Sequence, residues 1–69
     1  MPYITIESGP LTKEQKRELI EKITRSASEI MNTPEQFFIF TIKELPDENI
    51  GIGGKTIDIL KKEYHSSKD

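Results

Sequence analysis

The spacing of the apolar positions changes along the chain, and each spacing predicts a different element. From Pro2 to Glu7 the residues favour a strand, and Ile4 and Ile6 share one face of it. From Thr12 onward the apolar residues recur at helical spacing, until Pro34 bars continuation of the helix. The predicted apolar stripe of this helix consists of Leu19, Ile20, Ile23, Ala27, Ile30 and Met31.

A third apolar run, from Gln36 to Lys43, predicts a second strand. Its central residues, Phe37 to Ile42, are apolar on both faces and do not alternate. A strand of this kind is covered on both sides, whereas the single long helix can cover only one side. We therefore expect an identical subunit to cover the other face. The alternative interpretation is a disordered or aggregation-prone segment.

The order strand, helix, strand predicts a right-handed βαβ unit with parallel strands. The turn-forming stretch 46–49 precedes a glycine-rich segment at 50–54, which predicts a loop or hairpin. Residues 56–64 predict a short helix, and residues 66–69 a frayed tail. The expected fold class is α+β, a single βαβ unit plus a C-terminal hairpin or short helix, in one domain over residues 1–69.

Composition limits how such a short chain can be stable. A chain of 69 residues buries a small core and usually needs disulfides, a metal or oligomerisation. Because cysteine is absent, the chain can form no disulfide, and His65, its single histidine, does not by itself make a metal site. Oligomerisation is therefore the remaining route to stability. No apolar run approaches a membrane span, and the net charge of −2 argues against nucleic acid or an anionic membrane as partner. The lack of cysteine fits a cytoplasmic protein.

Pro2 is the candidate for chemistry, because it directly follows Met1. Removal of Met1 would expose a secondary amine that can take up and release a proton. A free α-amine has a pKa of about 7.7–8, and apolar surroundings lower that pKa towards the operating pH. General acid–base catalysis is most effective when the pKa of the catalytic group lies near the operating pH. The alternative is that Pro2 only starts a strand, where its missing N–H costs little.

The glycines near the C-terminal end allow more than one interpretation. Gly53-Gly54-Lys55-Thr56 matches the end of a phosphate-binding loop, but Asn49 stands where that motif requires a glycine, and we reject the motif. The glycines more simply permit a hairpin with positive φ. Ile50 and Ile52 would then point into a core, a pocket or a neighbouring subunit.

Together these features resemble the 4-oxalocrotonate tautomerase family over roughly residues 2 to 57. The resemblance rests on Met1–Ile6, on Thr12–Lys16 at the helix start, on Pro34, and on Ile50–Gly54. It implies a tautomerase/MIF-like fold completed by oligomerisation, as a homohexamer in which two βαβ chains make one four-stranded sheet and three such dimers assemble. It also implies that the amino-terminal proline isomerises a small enol or keto acid without metal or cofactor.

The resemblance assigns substrate-binding positions, and the chain departs from the family there. Two arginines of the best-studied members correspond to Leu11 (or Pro10) before the helix and to Ile39 on the second strand. Ile50 replaces a pocket phenylalanine and keeps the pocket apolar. A dicarboxylate would lose its charge-assisted contacts, which favours less charged substrates such as phenylenolpyruvate-like enols. Lys43 shares a strand face with Ile39 and is a weaker candidate for the missing cation.

Two classes of function therefore stay open. The first is a tautomerase or isomerase that uses the amino-terminal proline as general acid and base. The second is a non-catalytic oligomeric domain of the same fold with a decayed site, which the missing arginines favour. Hydration or dehalogenation of an unsaturated acid ranks lower, because these reactions usually also need cations. Arg17 and Arg25 lie on the predicted helix, where a solvated role is simpler.

Overall fold

The computed structural model describes the backbone of residues 1–68 and the side chains of residues 1–64. This part of the chain contains the predicted βαβ unit, hairpin and C-terminal helix in the predicted order. None of its helices combines the length and apolar character that a membrane crossing requires. The elements are β1 (Tyr3–Ser8), α1 (Lys13–Met31), β2 (Ile39–Glu44), β3 (Gly51–Ile52), β4 (Lys55–Thr56) and α2 (Ile57–Lys68), with 3-10 turns at Glu35–Phe37 and Asp47–Asn49.

β1 and β2 are parallel neighbours joined by α1. Tyr3 is level with Ile39 at one end of the pair, and Ser8 is level with Glu44 at the other. One rung beyond Tyr3, the Ile39 amide donates a hydrogen bond to the Pro2 carbonyl at 3.0 Å. The parallel pairing through a helical crossover confirms the predicted βαβ unit.

Both ends of α1 follow from local sequence chemistry. The Thr12 hydroxyl accepts a hydrogen bond from the Gln15 amide at 3.0 Å, and the Gln15 side chain accepts one from the Thr12 amide at 2.9 Å. This capping box satisfies two amides that a helix start leaves without partners. Asn32 ends the helix in the left-handed conformation, with φ of 53°, and its amide bonds the Ser28 carbonyl.

The second strand begins at Ile39, so the predicted start at Gln36 was wrong. Residues Glu35–Phe37 form a 3-10 turn instead, in which the Phe37 amide donates to the Pro34 carbonyl at 3.1 Å. The φ of Pro34 is −57°, which suits the entry to a turn. The apolar residues before Ile39 therefore belong to the reversal from α1 into β2.

α1 covers one face of the sheet that β1 and β2 form. On that face Ile4 is level with Phe40 and Ile6 with Ile42, and all four side chains are half-buried. The second face, which we call the open sheet face, has exposed side chains along both strands. It is apolar only at the end near Pro2 and polar beyond it. It carries the pairs Tyr3–Ile39, Thr5–Thr41 and Glu7–Lys43.

The apolar stripe of α1 is also only partly covered. Leu19, Ile23 and Ala27 share one side of the helix and are half-buried. Ile30 is 85% exposed, and Ile20 and Met31 are exposed with it. The single chain therefore offers apolar surface on both its helix and its sheet.

Among the residues whose side chains are described, none is fully buried. The radius of gyration is 16.1 Å, whereas a compact chain of this length has about 11 Å. The accessible surface is 5604 Å², whereas a folded monomer of this mass exposes about 4,400 Å². Because it is elongated, the single chain thus exposes roughly 1,200 Å² more surface than a folded monomer of this mass.

The C-terminal arm, residues 50–68, extends beyond the βαβ unit. β3 and β4 form an antiparallel hairpin through Gly53 and Gly54, whose φ values of 60° and 84° fit a two-residue turn. α2 packs on β4 and on the Asp47–Asn49 turn. It continues to Lys68, so the predicted end of this helix at residue 64 was wrong, and Asp69 lies outside the described residues.

We predict that Thr12→Ala lowers the free energy of unfolding by roughly 1 kcal/mol, because it removes the hydroxyl that caps α1. Urea denaturation at one fixed protein concentration measures this loss. Ser26→Ala is the matched control, because Ser26 is exposed in the middle of the same helix and should tolerate the change. Equal stability of the Thr12 and Ser26 variants would contradict the capping role.

Candidate functional site

Pro2 directly precedes β1, where a hydrogen bond to the neighbouring strand fixes its position. Its side chain is half-buried, and its carbonyl accepts the hydrogen bond from the Ile39 amide at 3.0 Å. Tyr3, the next residue, is level with Ile39 and is 72% exposed. Of the residues singled out from the sequence, the chain brings Pro2 and Ile39 together at one end of its two parallel strands.

Leu11 and Ile50 lie at the other end of these strands. Leu11 follows the loop after β1, and its amide donates to a carboxylate oxygen of Glu44, the last residue of β2. Ile50 follows the turn after β2, and its amide donates to the Asp47 carbonyl at 3.2 Å. A strand of six residues spans about 20 Å. Within one chain, Leu11 and Ile50 are therefore separated from Pro2 by the length of the sheet.

Glu44 holds the loop that contains Leu11. One carboxylate oxygen accepts from the Leu11 amide at 2.9 Å, and the other lies 3.1 Å from the Lys16 ammonium. The hydrogen bond from Leu11, followed by the contact with Lys16, lowers the pKa of Glu44 below its ordinary value. Sequence reasoning missed Glu44, because it lies 33 residues from Leu11 and only the βαβ topology joins them.

The Leu11 loop also touches the turn that precedes Ile50. A Cβ atom on Gly9 would lie 3.3 Å from a carboxylate oxygen of Asp47, so this close approach suits glycine. The other carboxylate oxygen of Asp47 accepts from Lys61 of α2 at 2.7 Å. Leu11 and Ile50 thus belong to one connected cluster of loops at the end of the sheet.

Two surface grooves flank α1, and Pro2 lines neither. The first is bordered by Leu11, Leu19 and Ile23 together with polar residues of the helix. The second lies between α1 and the start of β2, where Phe38 and Phe40 form its apolar wall. Neither groove of the single chain therefore gives Pro2 the apolar enclosure that acid–base chemistry at an amine requires.

The candidate cations lie apart from Pro2. Lys43 is on the open sheet face beside Glu7, about 13 Å along β2 from Ile39. Arg17 and Arg25 are exposed on α1. Among the described side chains, no group of three or more histidine, aspartate or glutamate residues could hold a metal ion.

Comparison with known proteins identifies the class that this fold represents. The family model described as "Tautomerase enzyme" matches residues 2–59. A "Probable tautomerase" of Bacillus cereus is 36% identical over 58 residues, which cover 83% of this chain and 95% of that protein. The 2-hydroxymuconate tautomerase of Bacillus subtilis is 33% identical over 62 residues, which cover 88% of this chain and 100% of that protein.

A solved structure agrees with this assignment. It is that of a 4-oxalocrotonate tautomerase isozyme from Methylibium petroleiphilum, with a TM-score of 0.79 and 37% identity, covering 86% of this chain and 97% of that chain. The βαβ unit with its C-terminal hairpin is thus a tautomerase fold, as the resemblance implied. The chain belongs to the tautomerase family.

We predict that Glu44→Gln destabilises the protein at pH 7 and that the difference disappears in acid. The lowered pKa of folded Glu44 gives stability that is fully present above the unfolded pKa of about 4.3 and is lost as the pH falls through the folded value. Thermal unfolding midpoints between pH 7 and pH 3 measure this. The control is Glu63→Gln, which breaks an exposed salt bridge with Lys55 and should change the unfolding midpoint little. If the midpoints of the wild type and Glu44→Gln differ by the same amount at every pH, the stabilising role of the Glu44 contacts is contradicted.

Proposed function

We propose that this protein is a tautomerase in which Pro2, once Met1 is removed, acts as general acid and base. The observation that carries the proposal is the position of Pro2 in a chain of the tautomerase family. It lies half-buried at the start of β1, with its carbonyl fixed by the Ile39 amide. With Met1 attached the Pro2 nitrogen is an amide and cannot take up a proton, so processing is part of the proposal.

The reaction is a proton transfer within one small molecule. The neutral proline amine removes the proton from an enol oxygen or from a carbon, and the resulting ammonium returns a proton to another carbon. The amine is regenerated, so the step balances without metal or cofactor. Negative charge that develops on the substrate oxygen needs a donor, which a backbone amide, a lysine or a group from another subunit supplies.

The site is completed by neighbouring copies of the chain. Pro2 and Ile39 lie at one end of β1 and β2, and Leu11 and Ile50 lie at the other. If two sheets join edge to edge across a twofold axis, their strands run antiparallel, so opposite ends of the two chains meet. The apolar Tyr3–Ile39 end and the extra exposed surface support this assembly. Three such dimers would give the homohexamer that the family resemblance implies.

The substrate carries less negative charge than a dicarboxylate. Ile39 lies beside Pro2, and Leu11 and Ile50 are the residues that the assembly would add. These three apolar side chains provide shelter for the amine but no bidentate partner for carboxylates. The Bacillus subtilis relative is named for 2-hydroxymuconate, which has two carboxylates. We expect this protein to favour enols with a single acid group, such as phenylenolpyruvate.

We predict that Pro2→Ala lowers kcat/KM for ketonisation of phenylenolpyruvate by about 10²-fold or more, because the secondary amine is lost. Both proteins are first shown by mass spectrometry to lack Met1. Pro46→Ala is the matched control, since it removes an exposed proline at the turn after β2. Equal rates for the wild type and Pro2→Ala would contradict the proposed function.

The second candidate function is a non-catalytic oligomeric domain whose site has decayed. Leu11 and Ile39 favour it, because they stand where the family resemblance places arginines. Alkylation of Pro2 by a small electrophilic keto acid, followed by mass spectrometry across pH, separates the two functions. Reactivity at lower pH than for an ordinary α-amine supports the tautomerase, whereas ordinary α-amine behaviour supports the decayed site.

A further inference from the structure

Tyr3 places a polar group directly beside Pro2. The two residues are consecutive, so the Pro2 nitrogen lies within about 5 Å of the Tyr3 Cα atom. The Tyr3 side chain is level with Ile39 on the open sheet face and is 72% exposed. This proximity of Tyr3 to Pro2 is set within one chain and does not depend on how copies assemble.

The Tyr3 hydroxyl is a hydrogen-bond donor that the described part of the chain does not use. No hydrogen bond among the side chains of residues 1–64 engages it. Ile39 beside it is apolar and cannot accept one. When a tyrosine is covered by apolar surface, its hydroxyl needs a polar partner. An oxygen of a substrate bound beside Pro2 is such a partner.

The other polar groups of the open sheet face lie farther from Pro2. Thr5 and Thr41 are two residues along their strands from Tyr3 and Ile39, which is about 7 Å. Lys43 is about 13 Å along β2 from Ile39. A phenol is also a more acidic, and therefore stronger, donor than the alcohol of threonine. Tyr3 is thus the best-placed donor of this face for charge that develops next to Pro2.

We propose that the Tyr3 phenol donates a hydrogen bond to the substrate oxygen and stabilises the enolate while Pro2 transfers the proton. The inference rests on the proposed function and adds a catalytic residue from the same chain. The Pro2 amine takes the proton from the enol oxygen, and the negative charge stays on that oxygen against the phenol. The Pro2 ammonium then returns the proton to carbon. The phenol keeps its own proton, so the step balances.

The position of Tyr3 fits a substrate with one acid group. Ile39, its neighbour across the strands, stands where the family resemblance implies an arginine. An arginine offers a charged, bidentate fork that matches a carboxylate, whereas a phenol offers one neutral donor. One neutral donor suits the single oxygen of an enol.

The kinetic test is Tyr3→Phe in the protein without Met1. We expect kcat for ketonisation of phenylenolpyruvate to fall about 10- to 100-fold, because one donor to the developing oxyanion is lost. KM should change little, since the contact strengthens as the charge develops. The aromatic ring remains, so sedimentation should give the mass of the wild-type assembly.

Thr5→Val is the matched control for the kinetic test. It removes a hydroxyl from the same face of β1 at nearly constant volume and should leave kcat unchanged. An equal kcat for the wild type and Tyr3→Phe overturns the proposal. An equal loss of kcat in Tyr3→Phe and Thr5→Val also overturns it, because the effect would then belong to the sheet face and not to the phenol.

A binding measurement tests the same contact without turnover. Phenyllactate and 3-phenylpropanoate share a carbon skeleton and a carboxylate and differ in the oxygen on C2, and neither has an enol. In NMR titrations we expect Tyr3→Phe to weaken phenyllactate about threefold relative to 3-phenylpropanoate, as the loss of one neutral hydrogen bond gives. Equal effects on both ligands, or no binding of phenyllactate to the wild type, overturn the role of Tyr3.

The two sets of variants separate this inference from the proposed function. Turnover that does not depend on Pro2 contradicts the proposed function. Turnover that depends on Pro2 but is unaffected by Tyr3→Phe contradicts only the role of Tyr3.

Discussion

One helix lies on a two-stranded sheet, and it can cover only one of the two faces. Ile4, Ile6, Phe40 and Ile42 gain partial cover from α1, while the open sheet face and part of the helix stripe gain none. The radius of gyration of 16.1 Å and the absence of a fully buried side chain among residues 1–64 follow from this arrangement. Apolar burial is the main force that stabilises a fold, so the exposed apolar surface of the single chain favours association with copies of itself.

The same constraint governs the chemistry that we propose. Parallel strands place Pro2 and Ile39 at one end and the Leu11 and Ile50 loops at the other, so one chain cannot enclose its own proline. Contact between opposite ends of different chains would cover apolar surface and complete the pocket in one step. Glu44 acts at that far end, since its carboxylate fixes the Leu11 loop and gives the loop a negative charge.

Local signals in the sequence were sufficient for much of the fold. The helix was predicted to begin at Thr12, where the structure shows a capping box with Gln15, and the glycines before Lys55 predicted the hairpin. Both signals act on the backbone beside them. The start of β2 was predicted three residues early, since apolar composition alone does not separate a turn after Pro34 from a strand. The contact between Glu44 and Leu11 could not be predicted, because it depends on which strand ends the topology brings together. The assignment of Pro2, Leu11, Ile39 and Ile50 to a site stays a prediction.

We propose that the chain is stable only in association with other copies. Sedimentation equilibrium of the protein without Met1, combined with unfolding at several protein concentrations, tests it most directly. We expect a multiple of the 7.9 kDa chain mass and an unfolding midpoint that rises with protein concentration. A folded protein with the mass of one chain, and a midpoint that does not depend on concentration, would contradict it.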